Sequence, residues 1–195
     1  MGKRKYLDKI EELFEKSAVV DFRSVERVIG KKKKSSYSKL LLRNLLKRGT
    51  IMRLTKGCYT KRPDINLAVF CFKPAYLGLQ SALSYHGISE QETIPIILTA
   101  KNARTGIRKI AGNNAYIRKC RKKYLFGFEY GKEGDFYLPY STIEKTLIDM
   151  VVFKQNISKE VLSEIRRRVK KEKIKKYLRE YPVRIKKSVL ILVNW

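Results

Sequence analysis

The chain has 195 residues, of which 44% are hydrophobic, so it holds enough apolar material for the packed core of one large or two small domains. Its 45 lysines and arginines outnumber its 18 aspartates and glutamates, and the formal net charge of +27 predicts a polyanionic partner, with nucleic acid favoured over a membrane. No apolar run approaches the roughly 18 residues that a membrane span needs, so we expect a cytoplasmic protein without a membrane partner.

The positive charge is concentrated at the two ends of the chain. Residues 1–62 carry a net charge of +13, residues 63–157 carry +5, and residues 158–195 carry +9. A lysine-rich thermophilic surface is an alternative source of such charge, although those surfaces usually balance lysine with glutamate in ion-pair networks. The uneven distribution favours binding segments at the ends and an ordinary globular middle.

The first 62 residues predict three helices and a hairpin. Apolar residues at helical spacing predict a first helix over about 5–16, and Asp21 is placed to cap a second helix that Gly30 ends. Ser35 or Ser36 would cap a third helix that runs to about residue 48, before Gly49. The segment TIMRLTKGCYT then predicts two short strands about a turn at residues 56–57. This order is typical of a winged helix-turn-helix, which we assign to residues 1–62.

The third predicted helix has an apolar side and a basic side. At 100° per residue, six residues cover a broad apolar arc: Tyr37, Leu40, Leu41, Leu42, Leu45 and Leu46. On the opposite side, Ser36, Lys39, Arg43 and Lys47 fall within roughly 80°. Such a stripe is also common on solvated helices, but this one contains no acid and follows four consecutive lysines, on the helix that a helix-turn-helix places in the major groove.

These residues define a predicted site for double-stranded DNA. Lysines near a helix N-terminus oppose the helix dipole in the free protein, but the same helix end binds phosphate well. We therefore predict that the lysine run grips phosphate, that the helix stripe faces the major groove with Arg43 reading a base, and that the hairpin contacts the backbone or minor groove. The predicted DNA-binding residues are Lys31, Lys32, Lys33, Lys34, Ser36, Lys39, Arg43, Lys47, Arg53 and Lys56.

Residues 63–195 predict a mixed α+β domain. A short helix near 80–86 precedes strand-like runs at 94–98, 114–120, 124–130 and 135–139, with Gly131 and Gly134 on either side of a hairpin turn. The sequence STIE at 141–144 predicts a capping box, in which Ser141 caps a helix and Glu144 returns to the cap. Basic helices follow over 158–195, where a slip of phase near Lys171 favours two helices and VLILV fits a helix or a strand.

The sequence offers little chemistry for catalysis. Three cysteines without CxxC spacing and a single histidine, His86, predict buried free thiols and neither a disulfide framework nor a metal site. Glycine-rich phosphate loops are absent, so we expect no cofactor and no enzymatic activity. One alternative is a metal-dependent nuclease, with candidate residues Asp64, Glu129, Lys132, Asp135 and Glu144.

Another alternative is a protein that binds RNA or single-stranded nucleic acid. Aromatic residues alternate along 124–130 directly after a basic segment, as in a platform on which bases stack. The C-terminal basic helices would then supply contacts to phosphate. The same alternation also describes the core face of an ordinary strand, which is the more common explanation of such a pattern.

Four segments in order make the chain resemble the AbiEi antitoxin family of bacterial and archaeal abortive-infection systems. They are KRGTIMRLTKGCYT, LGLQSALSYHGI, IPIILTAKNAR and STIEKTLIDMV. The resemblance implies an N-terminal winged helix that binds operator DNA and represses its own operon. It also implies a following antitoxin domain that opposes a nucleotidyltransferase toxin encoded beside it. In this type IV class, the antitoxin need not touch the toxin, so a direct complex is not implied.

Overall fold

The computed structural model describes residues 2–30, 35–90 and 94–195 and shows a mixed α+β fold with two β-sheets. The helices are α1 (Gly2–Lys16), α2 (Phe22–Ile29), α3 (Ser35–Lys47), α4 (Gln80–Tyr85), α5 (Ile143–Val152), α6 (Lys159–Arg168), α7 (Lys171–Leu178) and α8 (Val183–Leu192). The strands are β1 (Val20–Asp21), β2 (Met52–Thr55), β3 (Cys58–Thr60), β4 (Ala75–Leu77), β5 (Ile96–Thr99), β6 (Gly106–Ile110), β7 (Asn113–Lys119), β8 (Phe128–Glu133) and β9 (Phe136–Ser141). Two compact units comprise Met1–Cys71 with Lys109–Asn113, and Phe72–Arg108 with Asn114–Trp195.

The first unit contains α1, α2 and α3, so the prediction of three helices is confirmed, but Ser35 and Ser36, predicted as alternative caps of the third helix, both lie within α3. The Asp21 carboxylate accepts a hydrogen bond from the Ser24 backbone N–H at 2.7 Å and so caps α2 as predicted. Gly30 follows the helix with a φ of +91°. Apolar side chains from all three helices form one core with Val20 of β1 and with Ile51, which precedes β2. The helix residues of this core are Ile10, Phe14, Val25, Ile29, Leu41, Leu42 and Leu45.

The hairpin of the first unit joins the end of α3 through Gly49. This glycine has a φ of +69°, its N–H donates to the carbonyl of Leu46, and the Thr50 N–H donates to that of Leu45, which is the Schellman arrangement. Strands β2 and β3 pair antiparallel about the turn at 56–57, as predicted. The pairing of β1 with β3 was not predicted, because a strand of two residues shows no periodicity.

Arg62 completes the C-terminal end of α1. Its guanidinium donates hydrogen bonds to the backbone carbonyls of Phe14, Glu15 and Ser17, at donor–acceptor distances of 3.3–3.4 Å. The last carbonyls of a helix have no partner within the helix, so a side chain that follows the hairpin supplies their donors.

A mixed six-stranded sheet has the strand order β6-β7-β5-β4-β9-β8, and its strands β4, β5, β8 and β9 lie wholly within the second unit. The pairs β4/β9 and β5/β7 are parallel, and the pairs β4/β5 and β8/β9 are antiparallel. Helix α5 packs against β9 and against α4, α6, α7 and α8. Because it is surrounded, seven consecutive residues of α5, from 144 to 150, are buried.

The predicted strand over 124–130 is wrong in its first half. Residues 122–124 form a short 3-10 helix, Gly127 has a φ of +70°, and β8 begins only at Phe128. The prediction that Gly131 borders the turn is also wrong, because it lies within β8 opposite Leu138. A Cβ at this position would come within 2.3 Å of the Tyr85 ring, so the glycine allows that ring to pack on the strand.

The predicted capping box at the start of α5 is wrong by one residue. Ser141 is the last residue of β9, and the N-cap is Thr142, whose hydroxyl accepts from the Lys145 N–H at 3.4 Å. Glu144 instead accepts a hydrogen bond from the Lys170 N–H at 3.2 Å and forms an ion pair with Lys173 at 3.2 Å. The carboxylate therefore joins α5 to the start of α7 rather than to its own cap.

The C-terminal segment forms the two predicted helices α6 and α7, and the segment VLILV, which periodicity left open, lies in and just after α8. Burial of Ile165, Ile174, Leu178 and Val189 attaches the three helices to the core of the second unit. Across the residues described, no helix combines the length and the apolar character needed to span a bilayer.

Candidate nucleic-acid interface

The predicted basic stripe of α3 lies at the surface of the first unit. The side chains of Ser36, Lys39, Arg43 and Lys47 are all exposed. The opposite side of the helix is buried and consists of Ser38, Leu41, Leu42 and Leu45. The helix therefore attaches to its core by one face and presents a cationic face to solvent.

No acidic side chain neutralises this face within the described part of the chain. Lys39, Arg43 and Lys47 have neither an ion pair nor a side-chain hydrogen bond there, and residues 35–60 contain six lysines and arginines but no aspartate or glutamate. Two of the four acids of α1 are engaged elsewhere, since Glu12 pairs with Lys16 and Glu15 pairs with Lys61. The face is thus available to an external anion.

Leu40 departs from the prediction that it belongs to the apolar arc. It is 54% exposed, because its position on the helix lies between those of Arg43 and Asn44, within the exposed sector. The arc of six apolar residues was drawn too wide. The cationic face therefore contains one apolar side chain.

The hairpin places two more predicted residues at the surface. Arg53 is exposed on β2 opposite Tyr59, and its Nε donates to the carbonyl of Thr55 at 3.3 Å. Lys56 is exposed in the turn next to Gly57, whose φ is +82° and whose carbonyl accepts from the Phe22 N–H at 2.9 Å. That hydrogen bond ties the hairpin to the start of α2. The predicted phosphate-binding residues Lys31, Lys32, Lys33 and Lys34 lie outside the described residues.

The second unit contains a buried ionic cluster that sequence reasoning missed. The Lys145 ammonium donates to the carboxylate of Asp149, one turn along α5, and to the Tyr76 hydroxyl at 2.7 Å. The Tyr76 hydroxyl in turn donates to the other carboxylate oxygen of Asp149 at 2.7 Å. Lys145 has no exposed surface, and its Nζ lies 5.2 Å from the centroid of the Tyr76 ring.

Burial acts on the charges of this cluster in opposite directions. It lowers the pKa of Lys145 and raises the pKa of Asp149, while their mutual attraction opposes both shifts. Burial also raises the pKa of Tyr76 well above its usual range, with the nearby Asp149 charge adding to the effect. The available signal was a lysine and an aspartate four residues apart in STIEKTLIDMV, a helix with apolar residues on several sides.

Several predicted features of other sites do not come together. Among the described residues, no group of three or more histidines, cysteines, aspartates and glutamates could hold a metal ion, and the nuclease candidate Glu144 is already bound to α7.

His86 ends α4, as predicted, and its Nε2 lies 2.8 Å from the carbonyl oxygen of Ser141. Of the cysteines, Cys71 is buried as predicted, but Cys58 and Cys120 are only partly so.

The aromatic run of 124–130 is largely internal. Tyr124 stacks on Tyr181 with centroids 4.3 Å apart, and Phe128 stacks on Tyr76 with centroids 5.7 Å apart. Tyr130 is exposed. The rings from 124 to 128 thus follow the core explanation given for the pattern, and they form no open platform.

Comparison with known proteins gives a likeness at the level of the fold and shows no family. The sequence matches no family model and no curated protein. Among solved structures, the crystal structure of the RV2827C protein from Mycobacterium tuberculosis is similar, with a TM-score of 0.61 and 12% sequence identity over 97% of this chain and 76% of that one. At this identity the likeness concerns the mixed α+β fold alone. The resemblance to the AbiEi antitoxins stays a prediction.

Proposed function

We propose that the first unit is a winged helix-turn-helix domain that binds double-stranded DNA, with α3 as the recognition helix and the β2–β3 hairpin as the wing. The observation that carries the proposal is the exposed face of α3, where three cationic side chains have no partner among the described residues and no acid lies nearby in sequence. The order of three helices and a hairpin around one core supports it.

The charges on the exposed face of α3 are favourable only when an anion is bound to them. Lys39, Arg43 and Lys47 follow one another at intervals of four residues, where like charges on a helix repel mildly. A DNA backbone would replace that repulsion with attraction and release counterions. The arrangement therefore costs a little stability in the free protein and favours the bound state.

The residues of α3 divide into two kinds of contact. Arg43 lies between Lys39 and Lys47 on the helix and can offer a bidentate donor pair to a guanine edge, whereas lysines act chiefly as point charges on phosphate. Leu40, exposed beside them, can contact the methyl group of a thymine. Arg53 and Lys56 would place the hairpin on the backbone or in the minor groove.

The test is binding of the full chain to labelled duplexes, measured by fluorescence anisotropy. One duplex carries the region upstream of the protein's own gene and the other a shuffled sequence. Replacing Lys39, Arg43 and Lys47 together by alanine should abolish binding, whereas Lys9→Ala, an exposed lysine on α1, should leave it unchanged. Equal binding of the duplexes by the triple variant and the parent chain would overturn the proposal. Preference for single-stranded DNA or RNA would overturn it in favour of the RNA-binding alternative.

We further infer, from the AbiEi resemblance, that the chain uses DNA binding to repress its own operon. It would also oppose a nucleotidyltransferase toxin, and it would have no enzymatic activity itself. The test is co-expression with a nucleotidyltransferase encoded next to the gene. The chain should relieve growth arrest caused by that enzyme, and Arg43→Ala should relieve it equally, because DNA binding and the antitoxin role would lie in different units. Arrest that continues in the presence of the intact chain would refute the antitoxin role while leaving DNA binding untouched.

A further inference from the structure

A cleft of about 310 Å³ opens in the second unit, at the lower end of the range of roughly 300–1,000 Å³ that small-molecule pockets occupy. Its walls are mostly apolar and come from the end of α5 and the start of α8. They consist of Val152, Phe153, Pro182 and Ile185. A flat apolar group could be enclosed between these two helices.

The cleft also has polar residues in its lining. Asp149 reaches it from the buried ionic cluster, and the thiol of Cys120 lies beside it. Burial raises the pKa of Cys120 to about 11, so the thiol is protonated at neutral pH. The carboxylate already accepts hydrogen bonds from Lys145 and Tyr76, so its charge is compensated.

One lining residue has an unused hydrogen-bonding group. Tyr181 is 4% exposed, and its hydroxyl makes no hydrogen bond to any described residue. A buried hydroxyl without a partner costs about 1–3 kcal/mol, which a ligand atom or a bound water could recover. The ring is held in place by its stack on Tyr124, so the hydroxyl has a fixed position.

The basic residues of the lining supply a charge preference. Lys119 and Arg121 flank Cys120, both are exposed, and neither has an ion pair within the described residues. Their charges are not compensated by a nearby acid of the lining, since the charge of Asp149 is already matched by Lys145. A ligand here would therefore combine an apolar body with a negative charge.

We propose that this cleft binds a small aromatic anion, whose ring lies between α5 and α8, whose charged group meets Lys119 and Arg121, and whose other polar edge reaches the hydroxyl of Tyr181. The site goes beyond DNA binding and uses no residue of the first unit. Two sources share this chemistry, a free aromatic carboxylate and a nucleoside monophosphate.

The experiment titrates the full chain by calorimetry with 4-hydroxybenzoate and with uridine 5′-monophosphate, which separate the two sources. Benzyl alcohol, a ring without charge, and acetate, a charge without a ring, serve as matched ligands and should bind at least about tenfold more weakly. Saturable binding of either aromatic anion supports the proposal. Absence of saturable binding of both at concentrations up to about 1 mM would overturn it.

Variants then locate any binding observed. Ile185→Trp should fill the cleft and abolish ligand binding. Tyr181→Phe should weaken the affinity about threefold to tenfold, and Arg121→Ala should weaken it by a similar factor. Lys122→Ala, an exposed lysine next to Arg121 that does not line the cleft, is the control and should change affinity by less than about twofold. Thermal unfolding of each variant establishes that it is folded, and Tyr181→Phe, which keeps the ring, decides the question if Ile185→Trp does not fold. Equal affinity in the Tyr181, Arg121 and Lys122 variants would assign the binding to general surface charge and refute the site.

Discussion

The cationic side chains of α3 and the lysine at the centre of α5 differ in both burial and pairing. Lys39, Arg43 and Lys47 are exposed and have no partner among the described residues, whereas Lys145 is fully buried and bound to both Asp149 and Tyr76. A buried charge persists only when it is paired, while an exposed charge without a partner contributes little to folding. The comparison predicts that the charges of α5 affect the free energy of unfolding, whereas those of α3 affect the affinity for DNA.

The largest expected effect is the loss of Lys145. Lys145→Ala leaves Asp149 buried and unpaired and should destabilise the protein by about 3–5 kcal/mol, measured by urea unfolding. Lys175→Ala removes an exposed lysine of α7 and should change stability by less than about 0.5 kcal/mol.

Removing both charges of that pair sharpens the test. The double variant Lys145→Met with Asp149→Leu should recover only part of the stability lost by Lys145→Ala, since apolar residues of similar volume can replace a buried ion pair but the Tyr76 hydroxyl loses both of its partners. If Lys145→Ala proved as harmless as Lys175→Ala, the view of α5 as a helix that depends on its paired charges would be wrong.

The next effect falls on binding. Arg43→Ala should weaken binding to the preferred duplex by about 1–3 kcal/mol and relax the preference at one guanine, as measured by competition with duplexes that differ at single positions. Its midpoint of thermal unfolding should match that of the parent chain, because the side chain is exposed and has no partner among the described residues. A loss of stability with unchanged affinity would assign Arg43 to the fold and reverse the comparison.

Glu144 makes the stability of the second unit depend on pH. Burial alone would raise its pKa, but hydrogen bonds from its own backbone N–H and from that of Lys170, together with the charge of Lys173, hold the pKa below its ordinary value of 4.5. The unfolded chain therefore binds the proton more tightly than the folded one, so this stabilisation is complete above about pH 5.5 and is lost as the pH falls through the folded value.

Unfolding by urea at pH 6.5 and pH 3.5 checks this dependence. Glu144→Gln should be less stable than the parent chain at pH 6.5, and the difference should shrink at pH 3.5. Glu180→Gln, at an exposed site of the same unit, should follow the parent chain at both values. A difference between Glu144→Gln and the parent chain that stays constant with pH would show that the carboxylate does not titrate as inferred.

The smallest expected effect is at the tip of the hairpin. Lys56→Ala should weaken binding to all duplexes to a similar degree and reduce the slope of log affinity against log salt by about one unit, because one phosphate contact is lost. Binding measured at several salt concentrations gives that slope. An unchanged slope would remove the hairpin from the interface.

The elements that sequence predicted well are those with local signals. Asp21 before an amphipathic run, Gly49 after one, and the lysine–glycine turn each specify a boundary through their own backbone chemistry. Strand β4, with three residues, and β6 gave no comparable signal. The misplaced features Gly131 and Glu144 depend on a ring from α4 and on the start of α7, which lie far away in sequence.

In the candidate sites too, features with a local sequence signal were predicted and features that depend on distant residues were missed. The stripe of α3 was predicted because helical periodicity alone places its residues on one face, and Leu40 was assigned wrongly because periodicity does not say where the edge of a core lies. The cluster of Lys145, Asp149 and Tyr76 was missed because two of its members look like an ordinary surface pair until the helices around α5 bury them.

The guanidinium of Arg62 has a consequence for how the first unit folds. It reaches across 45 or more positions in sequence to the carbonyls at the end of α1, so the last turn of that helix gains its donors only after the hairpin has formed and docked. Helix and hairpin should therefore order together in one cooperative step, and truncation before Arg62 should loosen the helix at the opposite end of the segment.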